Sequence, residues 1–361
     1  MRKRRSTIAV VGGDGFVGSQ VLRRLATMGL PIRGSLRPGR RRWHIDDIDC
    51  QWVPIDLETP AAVRRLVRHA GTVIHCGGYN PRRALQIDDA KKRGVRQIRI
   101  LLDACMTEGV ARVVYVSSAV TAMQADQPDQ PFDETSRYVP GSVENAYFEA
   151  KAAMETELYR YVAAGLDAVI ANPTLVVGPG EAQLGTGALI RAVAGGRLPV
   201  APEQMSINIV DVRDLAAGIV AAMQRGRRGR RYILGGANGE LAELIELTAQ
   251  LSHRHIVRRG EWSPVIEPVA RVGERLIEWC GCNAAPPLLV PLDLVARGGA
   301  FSSRRAEAEL GFSCRELRST VADTLEWLSR VGYLSWADSN GHRRRGLNPR
   351  RHLLDQSRSF C

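Results

Sequence analysis

Apolar residues in this chain follow two alternating rhythms. Thr7–Val11 is short, β-branched and almost wholly apolar, the pattern of a buried strand. Glycines follow at once, and then Phe16–Thr27 has helical periodicity, ended by Gly29. Ile32–Leu36 and Gln51–Ile55 read as strands, and Pro60–His69 as a helix with proline in its first turn. Thr72–His75 is a strand, Ile87–Thr107 a long helix with Gly94 as its weak point, and Arg112–Val116 a strand. Val143–Ala164 reads as a helix and Ala168–Ala171 as a strand. Strand alternating with helix predicts an α/β fold with a doubly wound parallel sheet covered on both faces. Beyond Gly178 the texture changes: glycine and proline become frequent, and helical periodicity dominates from Leu241. Residues 179–334 are expected to form a smaller, mainly helical substrate-binding lobe, with a strand near 231–236 returning to the sheet. No internal repeat is visible.

The chain of 361 residues is long enough for a large core, and its 45% hydrophobic and 24% charged content is that of a soluble globular protein. No apolar run approaches the ~20 residues that span a bilayer, and the basic start is followed by too short an apolar run for a secretory signal. Cytoplasmic localisation is the expectation. Cysteines at 50, 76, 105, 280, 282, 314 and 361 are odd in number and scattered, so free thiols in a reducing compartment are expected, with no metal site. The net charge of +12 is concentrated at the ends: four cations lie at residues 2–5, and six arginines with one aspartate lie from His342 onward. Residues 335–361 are therefore expected to be a disordered basic tail, able at most to touch an anionic membrane surface weakly. No zinc-finger or aromatic RNA-binding pattern accompanies the charge, which argues against nucleic acid.

Gly12, Gly15 and Gly18 form a G-x-x-G-x-x-G turn between the first strand and the first helix. Gly12 permits the tight turn, Gly15 lets backbone approach a pyrophosphate, and Gly18 lets helix and strand pack closely. The helix N-terminus, with Phe16 and Val17, then offers free N–H groups to the phosphates. Residues 1–178 accordingly read as an NAD(P)-binding domain. An acid near the end of the second strand would bind the adenosine ribose of NAD, but none occurs between Ser19 and Ile45. Arg37, Arg40, Arg41 and Arg42 stand there instead and suit a 2′-phosphate, so NADP is favoured and NAD stays open. Asp56-Leu57, after the third strand, falls where an acid could accept from the adenine amine; it could equally be a turn.

Of 50 basic residues only four are lysine, at 3, 91, 92 and 151. Eight tyrosines and four lysines in 361 residues lead to about 0.1 chance Tyr-x-x-x-Lys matches, yet Tyr147 and Lys151 make one. On a helix they lie one turn apart on one face. A nearby ammonium is expected to lower the tyrosine pKa from about 10 towards neutrality and make it an acid/base. Ser117 and Ser118 end the strand before this helix, where a hydroxyl could polarise a substrate carbonyl.

This order of glycine loop, strand-end serine and Tyr-x-x-x-Lys resembles the short-chain dehydrogenase/reductases, in particular the extended epimerase/dehydratase branch, over about residues 6–333. The stretches "GGDGFVGS", "VIHCGG", "RVVYVSSA", "YFEAK", "ANPTLVVGPG" and "IVDVRDLAAG" carry the resemblance. It implies a Rossmann-type fold, Tyr147 as proton donor or acceptor, Lys151 on the nicotinamide ribose and Ser118 on the carbonyl. It also implies Gly12, Phe16, Val17 and Gly18 at the pyrophosphate, Gly77 and Gly78 near the adenosine, and Asn172-Pro173-Thr174 by the nicotinamide. Gly94 stands where the family often has asparagine, and Gly77-Gly78 where alanines are usual.

Three outcomes compete. One is reduction of a ketone, or oxidation of the alcohol, on a hydrophobic ring, as in relatives of dihydroflavonol reductase and 3β-hydroxysteroid dehydrogenase. Another is epimerisation or dehydration of a nucleotide sugar, kept open by a likeness to hopanoid-associated epimerase-like proteins. The third is dinucleotide binding without catalysis. Ile207 stands where nucleotide-sugar enzymes commonly carry a pyrophosphate-binding arginine, and Ala119-Val120 where dehydratases carry Asp-Glu, so the first outcome is favoured, with a small hydrophobic substrate. A stripe of Val265, Val269, Val272, Leu276, Ile277 and Trp279 reads as core, compatible with an apolar pocket wall. A monomer or homodimer is expected.

Overall fold

The structure, a computed structural model, describes residues 7–39, 43–124, 130–182, 185–198, 200–203, 205–255, 258–260, 269–273, 275, 290, 293–294 and 297–334. The first half runs β1 (Thr7–Val11), α1 (Phe16–Thr27), β2 (Ile32–Leu36), β3 (Gln51–Pro54), α2 (Pro60–Val67), β4 (Ala70–His75), α3 (Ile87–Thr107), β5 (Arg112–Val116), α4 (Ala146–Ala163) and β6 (Ala168–Pro173). Then come β7 (Leu175–Val177), α5 (Gly187–Ala194), β8 (Val200–Pro202), β9 (Ser206–Asp211), α6 (Val212–Arg225), β10 (Arg231–Leu234), β11 (Ala237–Glu240), α7 (Leu241–Leu251), β12 (Arg258–Gly260), α8 (Arg304–Leu310) and α9 (Leu317–Arg330). Helix α4 starts at Ala146 rather than Val143 because Asn145 caps it, its side-chain oxygen accepting the Tyr147 N–H.

Seven of the described strands form one parallel sheet in the order β10-β6-β5-β4-β1-β2-β3. The strand expected near 231–236 is β10, and it pairs with β6. Residues alternate across each strand. In β1, Ile8 and Val10 face a core with α1 and α6, while Ala9 and Val11 face one with α2, α3 and α4. A third core joins β9 to α5, α7 and α9. The sheet order reverses between β4 and β1, which opens a crevice at their carboxyl ends, the usual ligand position in such sheets. No helix among the described residues is long and apolar enough to cross a membrane. Cys50, Cys76, Cys105 and Cys314 are free thiols.

Glycines bring the two sides of the crevice together. Gly12 has φ +75°, and a Cβ there would meet the Gly77 backbone at 2.6 Å. A Cβ on Gly18 would meet the Gly12 carbonyl oxygen at 2.0 Å, so α1 reaches the loop only because residue 18 has none. Gly18→Ala should lower NAD(P) affinity at least about tenfold and destabilise the chain by roughly 1–3 kcal/mol through backbone displacement. Cofactor titration and urea unfolding check this; unchanged affinity would contradict the loop's role.

Candidate active site

Parallel strands bring their carboxyl ends to one edge, and the predicted residues collect there. A cavity of about 400 Å³ runs along this edge. Phe16 and Val17 line it after β1, Gly78 after β4, Ser117 and Ser118 after β5, and Pro173 and Thr174 at the end of β6. Tyr147 and Lys151 enter from α4. The predicted trio of Ser118, Tyr147 and Lys151 is therefore brought together. Ser118 caps the short turn Ala119–Ala122, its hydroxyl oxygen accepting the Val120 N–H at 3.4 Å. The Lys151 ammonium lies 5.3 Å from the Tyr147 ring centre.

Burial governs the electrostatics. Lys151 is 4% exposed, and desolvation lowers its pKa to about 8. Burial also raises the Tyr147 phenol, with the Ser118 hydroxyl pulling the other way. This differs from the expected fall towards neutrality, because burial is the largest influence on the phenol and the Ser118 hydroxyl offsets only part of it. His75 stacks on Tyr115 with ring centres 5.4 Å apart. Burial, and then the Lys151 charge, lowers its pKa to about 3.

The remaining predicted positions spread around the crevice. Gly77 lies against Gly12, and Gly78 beside the Lys151 ammonium. Arg37 follows β2, its Nε donating to Asp14 of the glycine loop at 2.9 Å, a pair formed across 23 residues. Arg40, Arg41 and Arg42 lie outside the described residues. Exposed Asp56 accepts the Glu58 N–H in a turn, while half-buried Leu57 packs under the sheet. Asn172 is fully buried and does not line the cavity; its amide donates to the Ser118 carbonyl at 3.0 Å. Of the apolar stripe, Val269 and Val272 are exposed rather than core, while Val265, Leu276, Ile277 and Trp279 lie outside the described residues.

Sequence reasoning missed Glu181 and Asn208, which also line the cavity. Glu181 accepts N–H groups of Gly185, Thr186 and Gly187, yet burial raises its pKa to about 7. The acid six residues before a helix was the available signal. Val120, Met123, Leu175, Val176, Ile207, Leu294 and Phe301 make the rest of this end apolar. Among the described residues, no His/Cys/Asp/Glu cluster could hold a metal.

Residues 8–235 match the NAD dependent epimerase/dehydratase family. The chain belongs to this family. The sequence is 29% identical over 337 residues to a Synechocystis sp. protein provisionally named dihydroflavonol 4-reductase, covering 90% of this chain and 95% of that one. It is 23% identical over 331 residues to sterol demethylase protein B of Methylococcus capsulatus, covering 91% and 100%. A nucleoside-diphosphate-sugar epimerase from Pseudomonas aeruginosa has the same fold, with TM-score 0.75 and 25% identity over 91% of this chain and 99% of that one. A protein named as a reductase and one named as an epimerase thus both resemble this chain.

Neutral, buried His75 makes the fold acid-sensitive. Its folded pKa lies below the unfolded value of 6.5, so stability is full above pH 6.5 and is lost as pH falls towards 3. By about pH 5 the loss should reach about 2 kcal/mol. His75→Phe should narrow the stability gap between about pH 8 and pH 5 by that amount in urea unfolding. Glu181 acts in the opposite sense but is common to both chains. An unchanged gap would contradict a buried neutral imidazole.

Proposed function

We propose that this chain is a ketone reductase, or the reverse alcohol dehydrogenase, acting on a small hydrophobic and cyclic substrate with NADP. Bound NADPH would supply hydride to the carbonyl carbon. Ser118 donates a hydrogen bond to the carbonyl oxygen, and Tyr147 gives its proton to the developing alkoxide. Lys151 holds the nicotinamide ribose and places a positive charge beside the phenolate left behind. Gly12, Gly15, Phe16, Val17 and Gly18 hold the pyrophosphate, with Asp56, Leu57, Gly77 and Gly78 towards the adenosine. Pro173 and Thr174 flank the nicotinamide, and Asn172 acts there through the backbone it holds. Half-exposed Arg37, at the end of β2, supports NADP because a guanidinium in that place suits a 2′-phosphate.

One observation carries the choice of reaction. Beyond Lys151, the charged side chain lining the described cavity is Glu181, an acid, and Ile207 is 4% exposed in its wall. A sugar diphosphate would bring two negative charges into an apolar cavity whose described lining holds an acid and no cation beyond Lys151, costing several kcal/mol. An apolar ketone meets no such penalty. The relative named for dihydroflavonol reduction and the one named for sterol demethylation agree with an apolar substrate.

Tyr147→Phe should lower turnover of a fused bicyclic ketone such as trans-1-decalone by about 10²–10⁴ while sparing NADPH affinity. Lys151→Arg should be nearly as severe, because a planar guanidinium does not fit a compact ammonium's place. Near wild-type rates in Tyr147→Phe would refute the assignment, and micromolar calorimetric binding of UDP-glucose would promote the sugar reading. Arg37→Ser should weaken NADPH binding about tenfold or more with little effect on NADH, read by nucleotide fluorescence. A wild type that binds NADH more tightly would contradict the NADP assignment.

A further inference from the structure

Behind Ser118 lies a buried polar cluster of which only Asn172 has been given a role above. Its centre is Glu155, 4% exposed, on α4 one turn after Lys151 and two turns after Tyr147. One carboxylate oxygen accepts from the Ser117 hydroxyl at 2.7 Å, from the Thr121 hydroxyl at 2.9 Å and from the Asn172 amide at 3.1 Å. The other accepts from Arg231 of β10 at 3.3 Å. Arg231, 3% exposed, also donates to the carbonyls of Thr121, Glu134 and Ser136. Thr121 and Asn172 both lie within donating distance of the Ser118 carbonyl, each at 3.0 Å. The Thr121 hydroxyl has one proton, so it serves either that carbonyl or Glu155.

Such a cluster is costly to bury, and an apolar packing would stabilise the fold as well. What it supplies is geometry. One helix face carries Tyr147, Lys151 and Glu155 at i, i+4 and i+8. The carboxylate grips the residues on both sides of Ser118 and the asparagine that holds the Ser118 backbone.

We infer that Glu155 is a positioning residue: it clamps the end of β5 to the helix that carries Tyr147, and so sets where Ser118 stands relative to the phenol. This rests on the Ser118–Tyr147 reading of the site. Glu155→Gln keeps the shape but removes the charge: with its oxygen towards Ser117, Thr121 and Asn172, its amide N–H faces the Arg231 guanidinium, so the tie to β10 that anchors the clamp is lost. Turnover of trans-1-decalone should fall about 10²-fold with NADPH affinity unchanged. The deciding measurement is a double-mutant cycle with Ser118→Ala. If Glu155 acts through Ser118, the double variant should be within about threefold of Ser118→Ala alone; a further 10²-fold loss would overturn the inference. A Tyr147→Phe variant with full turnover would instead sink the site reading.

The substrate-free arm is a crystal structure of Glu155→Gln. The expected result is a Ser118 hydroxyl displaced out of hydrogen-bond reach of Tyr147 with the α4 backbone unmoved; an intact contact overturns the inference. Should Glu155→Gln fail to fold, Thr121→Val, which removes one tie without a charge change, takes its place in both arms. Its expected loss is about tenfold and non-additive with Ser118→Ala. Additive loss, or none, overturns the inference.

Discussion

Met154 of α4 fills the space over Gly94 of α3, where a single added carbon would meet its sulfur at 2.9 Å. Its methyl end reaches towards Gly78, whose absent Cβ also leaves room for the Lys151 ammonium at 3.2 Å. Helix α4 can lie this close to α3 and the crevice because residues 78 and 94 have no side chains. Close packing of this kind transmits sub-ångström shifts, since interiors have few voids to absorb them. With α4 seated, one face brings Tyr147, Lys151 and Glu155 to the strand ends. The glycine that looks like a flaw in a helix is the contact that sets the site.

The same burial that fixes geometry sets protonation. Taking Lys151, Tyr147 and His75 out of water disfavours each charged form, which lowers both bases and raises the phenol. In the free chain the tyrosine therefore keeps its proton, the state that a carbonyl reduction consumes. Lys151, with a pKa near 8, is still mostly ammonium at neutral pH, close to the Tyr147 ring.

Local patterns made most of the sheet legible. β1, β2 and β5 and helices α1 and α3 lie where their periodicity places them, because propensity and burial agree there. That Ser118, Tyr147 and Lys151 would share one cavity was legible because chain order and the rarity of lysine single them out. What was not legible depends on distant partners. Asp14 and Arg37 pair across 23 residues, and Glu155 and Arg231 across 76. Arg231 read only as the start of a strand. Asn172 was expected beside the nicotinamide with Pro173 and Thr174; its buried side-chain ties to Ser118, Thr121 and Glu155 leave no mark in the local pattern. The exposed Val269 and Val272 show that an apolar stripe does not by itself say which face is covered.

Net redox chemistry separates a reductase from its epimerase and non-catalytic alternatives, because an epimerase returns the hydride it takes. The most direct measurement follows the absorbance of reduced nicotinamide while purified protein turns over trans-1-decalone, with product counted in parallel. One NADPH should disappear for each alcohol formed. Product formed with no net loss of NADPH, or NADPH bound with no ketone-dependent oxidation across a panel of apolar cyclic ketones, would contradict the account.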